Sequence, residues 1–198
     1  AANPAPYRPL TYSAIGVYSV RVMRFVWNPE KDKVNRAKHG LSFEESTELF
    51  ESGVDYLEIY DVEHSEKEDR FIAVGPIKRG VIRAWPPGTS GGASRHMKKT
   101  DIGDEIREMN DQDFARAIPR KQRERILRGR IAGGGDVVAL RRFVRLTQQQ
   151  FAEALGISVH TLRNWEQGRR NPEGPAMALL RIAARHPRVL RENLAVSA

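Results

Sequence analysis

The chain has 198 residues, and 33 Lys and Arg against 25 Asp and Glu give it a formal net charge of +8. Hydrophobic residues make up 40% and the mean hydropathy is −0.55, which is typical of a soluble globular chain of one large or two small domains. No apolar run approaches the ~18 residues that a membrane span needs. Cysteine is absent, which excludes disulfides, thiolate metal sites and cysteine nucleophiles and favours a cytoplasmic location.

The positive charge is concentrated in the second half of the chain. Residues 1–96 hold 13 basic and 13 acidic residues, whereas residues 114–198 hold 17 basic and 6 acidic residues, a net charge of +11. A basic surface of this kind indicates a phosphate backbone as partner, because its neutralisation releases counterions. A merely solvated basic surface is the alternative.

The first half predicts an α+β module. Its elements are a strand at 24–27, helices at 30–39 and 43–50, and strands at 56–60 and 70–74. Gly40 closes the first helix, and Ser42 with Glu45 forms a capping box at the start of the second. Met23 resembles a natural start, so we expect residues 1–22 to be a disordered extension.

The second half predicts a linker, a charged arm and a helical domain. Residues 86–96 have the glycine, serine and proline content of a linker, and residues 97–132 form a charged arm that becomes helical after Pro119. Residues 133–198 follow a glycine break and predict five helices, the first capped by Asp136. The expected fold class is therefore α+β, a small sheet module joined to an all-α domain.

Residues 146–172 carry the strongest motif, two short helices joined by a tight turn. Thr147 and Gln150 form a capping box, Gly156 suits a left-handed turn, and Ser158 caps the second helix. Leu162 and Trp165 lie three residues apart and predict a buried face. Two helices with this turn are typical of a helix-turn-helix, although a bundle that uses the turn only for packing is the alternative.

The second of these helices would enter the major groove of duplex DNA. Its outward side chains would read base edges, with Arg suited to guanine, Asn to adenine and Val to a thymine methyl group. Gln148 and the arginines after Gly168 would contact phosphates, which fixes register without reading sequence. The predicted DNA-binding residues are Gln148, Ser158, Val159, His160, Thr161, Arg163, Asn164, Arg169 and Arg170.

This segment resembles the XRE (Cro/repressor-like) helix-turn-helix family, in the order LTQQQFAEALGIS, then Trp165 and the EQGRRNP exit. The resemblance covers about 60 residues. It implies a five-helix lambda-repressor-like domain at 133–198 that binds double-stranded DNA as a homodimer across a pseudo-palindrome.

Residues 23–50 are similar to the opening of BrnT-type toxins, which are RelE-like ribonucleases. The resemblance rests on Trp27-Asn28-Pro29, on Lys38-His39-Gly40, on Leu41 to Glu45, and on the later His64-Ser65 and Asp69-Arg70-Phe71. RNA cleavage needs a base, an acid and a cation for the phosphorane. The candidate catalytic residues are Lys31, Lys38, His39, His64 and Arg70, although each also has an ordinary structural explanation, such as cations favoured at a helix C-terminus.

The toxin-like module at 23–85 departs from the family pattern. After the strand that ends at Val74-Gly75, the family continues with two strands and an Ile-Ser-Ala-Arg-type motif, whereas this chain passes through residues 78–85 into the linker. We therefore expect a truncated module with one open sheet edge and doubt its ribonuclease activity. Fusion of two adjacent reading frames, the second starting at Met97, would explain the arrangement.

The two resemblances together indicate a toxin–antitoxin pair in one chain. We expect an antitoxin-type transcriptional repressor of its own operon that carries a degenerate toxin module. The alternatives are a ribonuclease toxin neutralised in cis by its antitoxin and a pure interaction scaffold. The expected partners are double-stranded DNA, the toxin module or a cognate toxin, and a second copy of the chain. We predict no membrane partner, no cofactor and no metal, since the five His residues show no ligand spacing.

Overall fold

The computed structural model describes residues 29–78, 80–84 and 109–195. The predicted extension 1–22, the strand at 24–27, the linker 86–96 and the arm up to residue 108 lie outside these described residues. The described elements are α1 (Pro29–His39), α2 (Phe43–Glu51), β1 (Leu57–Tyr60), β2 (Phe71–Ile77), β3 (Gly80–Ala84), α3 (Asp111–Ala115), β4 (Ile118–Pro119), α4 (Arg120–Leu127), α5 (Gly134–Phe143), α6 (Gln148–Ala154), α7 (Val159–Glu166), α8 (Pro175–Arg185) and α9 (Pro187–Ala195). None of the helices within these ranges is long and apolar enough to cross a membrane.

The described N-terminal elements follow the predicted order, with one addition. Gly40 has φ +65° after α1, and Ser42 and Glu45 form the capping box of α2. The strand β3, however, was not expected, because residues 78–85 were interpreted as passing directly into a linker. It pairs with β2 from Ile77↔Gly80 to Ala73↔Ala84, so the two strands form a tight antiparallel hairpin.

The sheet is antiparallel with the order β3-β2-β1-β4, and its fourth strand comes from the second half of the chain. Ile118 pairs with Glu58, and Pro119 pairs with Leu57. The segment predicted as a charged arm therefore covers the edge of β1. Its strand supplies hydrogen-bond partners for backbone groups that would be unpaired on an exposed edge strand. In its described part this arm is ordered structure: α3 with a capping box from Asn110 to Asp113, then β4 and α4.

One face of the sheet receives helices from both halves of the chain. Glu58 and Tyr60 lie opposite Ala73 and Phe71, so all four side chains share this face. Leu49 of α2 packs against Tyr56 and Ala73 at one end of the strands, and Phe143 of α5 contacts Tyr60 and Phe71 at the other. The close approach of α2 requires Gly75, because a Cβ there would lie 2.5 Å from Leu49 Cδ1.

The helices α5 to α9 form the predicted five-helix arrangement over residues 134–195. Its first cap differs from expectation: Gly133 is the N-cap of α5 and provides no side-chain cap, whereas Asp136 lies within the first turn. The Asp136 carboxylate instead accepts a hydrogen bond from the amide of Ala132 at 2.7 Å and binds Arg125 of α4. It therefore joins two helices and fixes the glycine-rich loop between them.

The larger of the two described hydrophobic clusters contains residues from both halves of the chain. Tyr60 and Phe71 from the sheet belong to the same buried cluster as Ile118, Ile126 and the apolar side chains of α5 to α9. The rings of Phe71 and Phe143 stack with centroids 5.9 Å apart and planes 6° apart. Because this stacking buries large aromatic surfaces from both halves, it stabilises their association as well as each half.

Candidate nucleic-acid interface

The turn between α6 and α7 places α7 on the surface with one side buried. Gly156 adopts φ +66° at the turn, and the Ser158 hydroxyl accepts a hydrogen bond from the Thr161 amide at 3.0 Å. Leu162 is fully buried and Trp165 is 7% exposed. These two side chains anchor the helix, so its opposite side faces outward as the motif predicts.

The outward side of α7 presents fewer free side chains than the motif suggested. His160 and Arg163 are exposed, while Thr161 and Asn164 are half-buried. The Thr161 hydroxyl lies 2.9 Å from that of Ser158, so both groups take part in the cap. Val159 was expected outside but is half-buried and packs against the core, because the first turn of α7 sits close to the domain body.

Gln148 and Arg163 belong to a polar network that joins three helices. The Glu166 carboxylate at the end of α7 accepts hydrogen bonds from Arg141 of α5 at 2.5 Å and from Gln148 of α6 at 2.6 Å. Arg163 in turn donates to the Gln148 side-chain oxygen at 3.4 Å. Gln148, predicted as a phosphate contact, therefore also fixes the position of α7 and orients the Arg163 guanidinium.

Arg169 and Arg170 lie just beyond the C-terminal end of α7, and both are exposed. Gly168 turns the chain with φ +70°, and the backbone amides of both arginines donate to the Asn164 carbonyl, at 2.9 and 3.3 Å. Their backbone is thus held while their guanidinium groups extend into solvent. The structure brings these cations onto the same end of the domain as Arg163.

A second polar site lies inside the molecule, where α4 meets the sheet. Glu58 of β1 and Arg123 of α4 are each 1% exposed, and Arg123 donates to the Glu58 carboxylate at 2.7 Å. Arg120, 25% exposed, donates to the other carboxylate oxygen at 3.0 Å. The two guanidinium groups together satisfy a carboxylate that burial alone would penalise heavily.

Arg123 has further partners that hold it in one geometry. Its Nε donates to the Ala184 carbonyl of α8 at 2.8 Å, and its guanidinium lies 4.0 Å from the centroid of the Phe71 ring. The Phe143 ring centroid is 5.2 Å away. Arg123 therefore joins β1, β2, α5 and α8 through one side chain, which a lysine could not do with its single point charge.

Backbone amides of the second half of the chain donate hydrogen bonds to the first half, both next to this ion pair and at the far end of the sheet. The Arg120 amide donates to the Tyr56 carbonyl at 2.8 Å, and the Lys121 amide donates to the Asp55 carboxylate at 2.9 Å. At the far end of the sheet the amide of Arg188 donates to Asp69 at 2.8 Å. The contact between the two halves thus combines strand pairing, a buried ion pair and caps on α4 and α9.

Burial and neighbouring charges shift the pKa values of two side chains near Glu58, Arg120 and Tyr56. Burial acts to lower the pKa of Arg120, but the negative charges and hydrogen bond of Glu58, Tyr56 and Glu124 together outweigh it, so the pKa of Arg120 is raised. Burial, reinforced by the negative charge of Glu58, raises the pKa of Tyr56 to about 12. The Arg120 guanidinium therefore stays charged and the Tyr56 phenol stays neutral at physiological pH.

The five candidate catalytic residues lie on two segments of the chain, the helix α1 and the loop between β1 and β2. Lys31, Lys38 and His39 lie along α1, the last two in its final turn. His64 and Arg70 lie in the loop between β1 and β2, where His64 contacts Asp61 at 2.8 Å and Arg70 contacts Glu68 at 3.3 Å. Among residues 29–78, 80–84 and 109–195, no group of three or more His, Asp and Glu side chains is placed to hold a metal ion.

Comparison with known proteins finds a matching family for each half of the chain. Residues 27–84 match the family described as the ribonuclease toxin BrnT of type II toxin–antitoxin systems, and residues 99–193 match the family described as the antitoxin component MqsA. Antitoxin HigA-2 of Vibrio cholerae serotype O1 is 42% identical over 55 residues, which are 28% of this chain and 53% of that protein. The chain therefore joins a segment that matches a toxin family to a segment that matches an antitoxin family, and we call these segments the toxin domain and the antitoxin domain.

The chain spans about half the length of the curated relative that it matches, and no solved structure matches it. The matches confirm the predicted toxin–antitoxin arrangement. They also show that the sheet contains strands from both domains, because β4 falls within the antitoxin match. The antitoxin domain thus completes the sheet of the toxin domain.

Sequence reasoning missed Glu58, Arg120 and Arg123. One signal was available: Glu58 stands between Tyr56 and Tyr60 on the same face of a strand whose other residues on that face are aromatic. A carboxylate in that position requires a buried cation. The sequence did not show which of the many arginines supplies it.

Proposed function

We propose that the chain is a sequence-specific DNA-binding regulator of antitoxin type that represses the operon encoding it. The observation that carries this proposal is the geometry of α7, which is anchored by Leu162 and Trp165 while His160 and Arg163 point outward. With α6 it has the form of a helix-turn-helix, and the exposed Arg169 and Arg170 are placed as phosphate contacts.

Arg163 is the side chain best placed to read a base. Its hydrogen bond to Gln148 limits the directions in which the guanidinium can point, so less rotamer freedom is lost when it binds a guanine edge. Asn164 is half-buried and Val159 packs on the core, so these two supply less base contact than the motif suggested. Sequence-dependent shape of the DNA would supply the remaining discrimination.

A gel shift on the DNA upstream of the reading frame, at several salt concentrations, tests this proposal. Arg163→Ala should weaken binding about 5- to 150-fold, as expected for loss of a base contact worth roughly 1–3 kcal/mol. Arg169→Ala should reduce the slope of log K against log salt by about one. Lys78→Ala, at a side chain that is 87% exposed on the toxin domain, is the matched control and should change neither. Equal effects of all three variants would contradict the proposal.

We also propose that the chain acts in the cytoplasm and binds DNA as a homodimer. Recognition of a pseudo-palindrome requires two copies of α7 related by a two-fold axis. Sedimentation of the full chain with a one-site and a two-site duplex would measure this directly. Binding of a single copy with no preference for the palindrome would contradict the dimer.

A second function is favoured by the contact between the domains: a ribonuclease toxin that its own antitoxin neutralises in cis. The antitoxin segment covers the edge of β1 and binds Glu58, and such occupation would prevent a substrate from using either. Expression of residues 23–96 alone tests it. Growth arrest and RNA cleavage that the full chain does not cause would support this function, and their absence from a fragment that circular dichroism shows to be folded would support a degenerate toxin domain.

A further inference from the structure

A set of exposed arginines lies outside the proposed recognition helix. Arg128 and Arg130 follow α4, and Arg181 is on α8; Arg128 is 71% exposed. We name Arg128, Arg130 and Arg181 the flanking platform. They account for part of the net charge of +11 over residues 114–198, for which the α7 region provides only a few cations.

The three arginines are held together by the packing of α4 on α8. Arg181 Nε donates to the Leu127 carbonyl at the end of α4 at 3.2 Å. Gly129 turns the chain with φ +73°, and a Cβ there would lie 3.5 Å from Arg181 Cδ. The loop that carries Arg128 and Arg130 is therefore seated on the side chain of Arg181.

The same loop leads directly to the C-terminal end of α7. A Cβ on Gly134 would lie only 2.1 Å from the Glu166 carbonyl, so the start of α5 rests on the end of α7. Three residues lie between Arg130 and Gly134, so their Cα atoms are at most roughly 14 Å apart. On duplex DNA this corresponds to about four base pairs, at 3.4 Å per phosphate of one strand.

The neighbouring carboxylates leave this positive charge largely uncompensated. Glu166 is bound by Arg141 and Gln148, and Asp136 by Arg125, Gln122 and the Ala132 amide. Glu124 lies 3.8 Å from Arg128 but is shared with Arg120 at 2.9 Å, and Glu173 is exposed before α8. Exposed cations in this excess attract a polyanion.

We propose that Arg128, Arg130 and Arg181 form a second backbone contact on duplex DNA, which extends the footprint beyond the C-terminal end of α7. This inference rests on the proposed DNA-binding function. DNA rather than RNA is favoured because a short loop connects the platform to the start of α5, which packs on the end of α7, next to the proposed phosphate contacts Arg169 and Arg170. The contact adds affinity and salt dependence without adding sequence discrimination.

The test uses the full chain with the double variant Arg128→Gln/Arg130→Gln, which leaves the Arg181–Leu127 hydrogen bond in place. The wild-type hydroxyl-radical footprint first defines a long duplex and a short duplex trimmed by about five base pairs at each side. On the long duplex the slope of log K against log salt should fall by about 1.8, from roughly 0.9 per phosphate contact. On the short duplex the two proteins should bind alike.

This smaller slope also predicts the affinities on the long duplex. Raising the salt from 50 to 200 mM should reduce the affinity of the wild type by a factor about 12 times larger than that for the variant. Lys78→Gln is the control and should behave as wild type. An unchanged slope on the long duplex, while Arg169→Ala still reduces it, would overturn the platform alone. Competition by RNA that exceeds competition by duplex DNA and is lost in the variant would also overturn it. Failure of the wild type to bind any duplex would overturn the proposed function itself.

Discussion

Replacement of Arg123 by methionine should strongly destabilise the whole chain. The substitution keeps most of the side-chain length but removes the guanidinium that pairs with Glu58 at 2.7 Å and donates to the Ala184 carbonyl at 2.8 Å. Breaking a buried ion pair by removing one partner costs about 3–5 kcal/mol. Arg120 stays on the carboxylate at 3.0 Å, which keeps the expected loss within that range rather than above it.

Urea denaturation monitored by tryptophan fluorescence and by circular dichroism measures this loss. Both signals should shift together, because the core of Tyr60, Phe71 and Phe143 spans the two domains. Arg128→Met, at a side chain that is 71% exposed, is the matched control and should change stability by less than about 0.5 kcal/mol. The double variant Glu58→Leu/Arg123→Met should recover most of the lost stability, since no charge is left buried and unpaired. A loss below about 1 kcal/mol for Arg123→Met, or separate transitions for the two domains in the wild type, would refute the reasoning.

Three further predictions concern single sites in the antitoxin domain. Burial acts to raise the pKa of Asp136, but hydrogen bonds from Arg125, Ala132 and Gln122 and the charge of Arg125 together lower it. The stabilisation by Asp136 should therefore be complete above its ordinary pKa of 3.8 and lost as pH falls below it; a pH series of urea midpoints should show this for the wild type and not for Asp136→Asn. Gly134→Ala should destabilise by about 1–3 kcal/mol, because its Cβ would meet the Glu166 carbonyl, whereas Gly135→Ala, with nothing within 4 Å, should be neutral or stabilising by up to about 1 kcal/mol; equal melting temperatures would contradict this. Ser158→Ala should cost about 1 kcal/mol through the lost cap on Thr161, and an unchanged midpoint would show that the cap contributes nothing.

The antitoxin domain was predictable because its signals are local. The capping box of Thr147 and Gln150, the positive φ of Gly156 and the cap by Ser158 each depend on residues within three positions of one another. Such pairs appear directly in the sequence. The burial of Val159 does not appear in the sequence, because it depends on how closely the first turn of α7 approaches the rest of the domain.

The completion of the sheet could not be predicted in the same way. Glu58 and Arg123 are 65 residues apart, and β4 is only two residues long, too short to show an alternating pattern. The charge of residues 97–132 indicated solvent exposure, yet Arg123 is buried by a carboxylate and two aromatic rings. Only the three-dimensional structure shows that part of this charged segment is buried against the sheet.

The insertion of β4 beside β1 has a consequence for how the association of the two domains responds to concentration. Separate toxin and antitoxin polypeptides dissociate when diluted, and an imbalance in their synthesis leaves one of them in excess. A tethered pair associates with the same effective local concentration in a cell that contains one copy or thousands. In this chain the ratio of the partners is fixed at one to one by covalent connection, so neither dilution nor unequal translation can liberate the toxin domain.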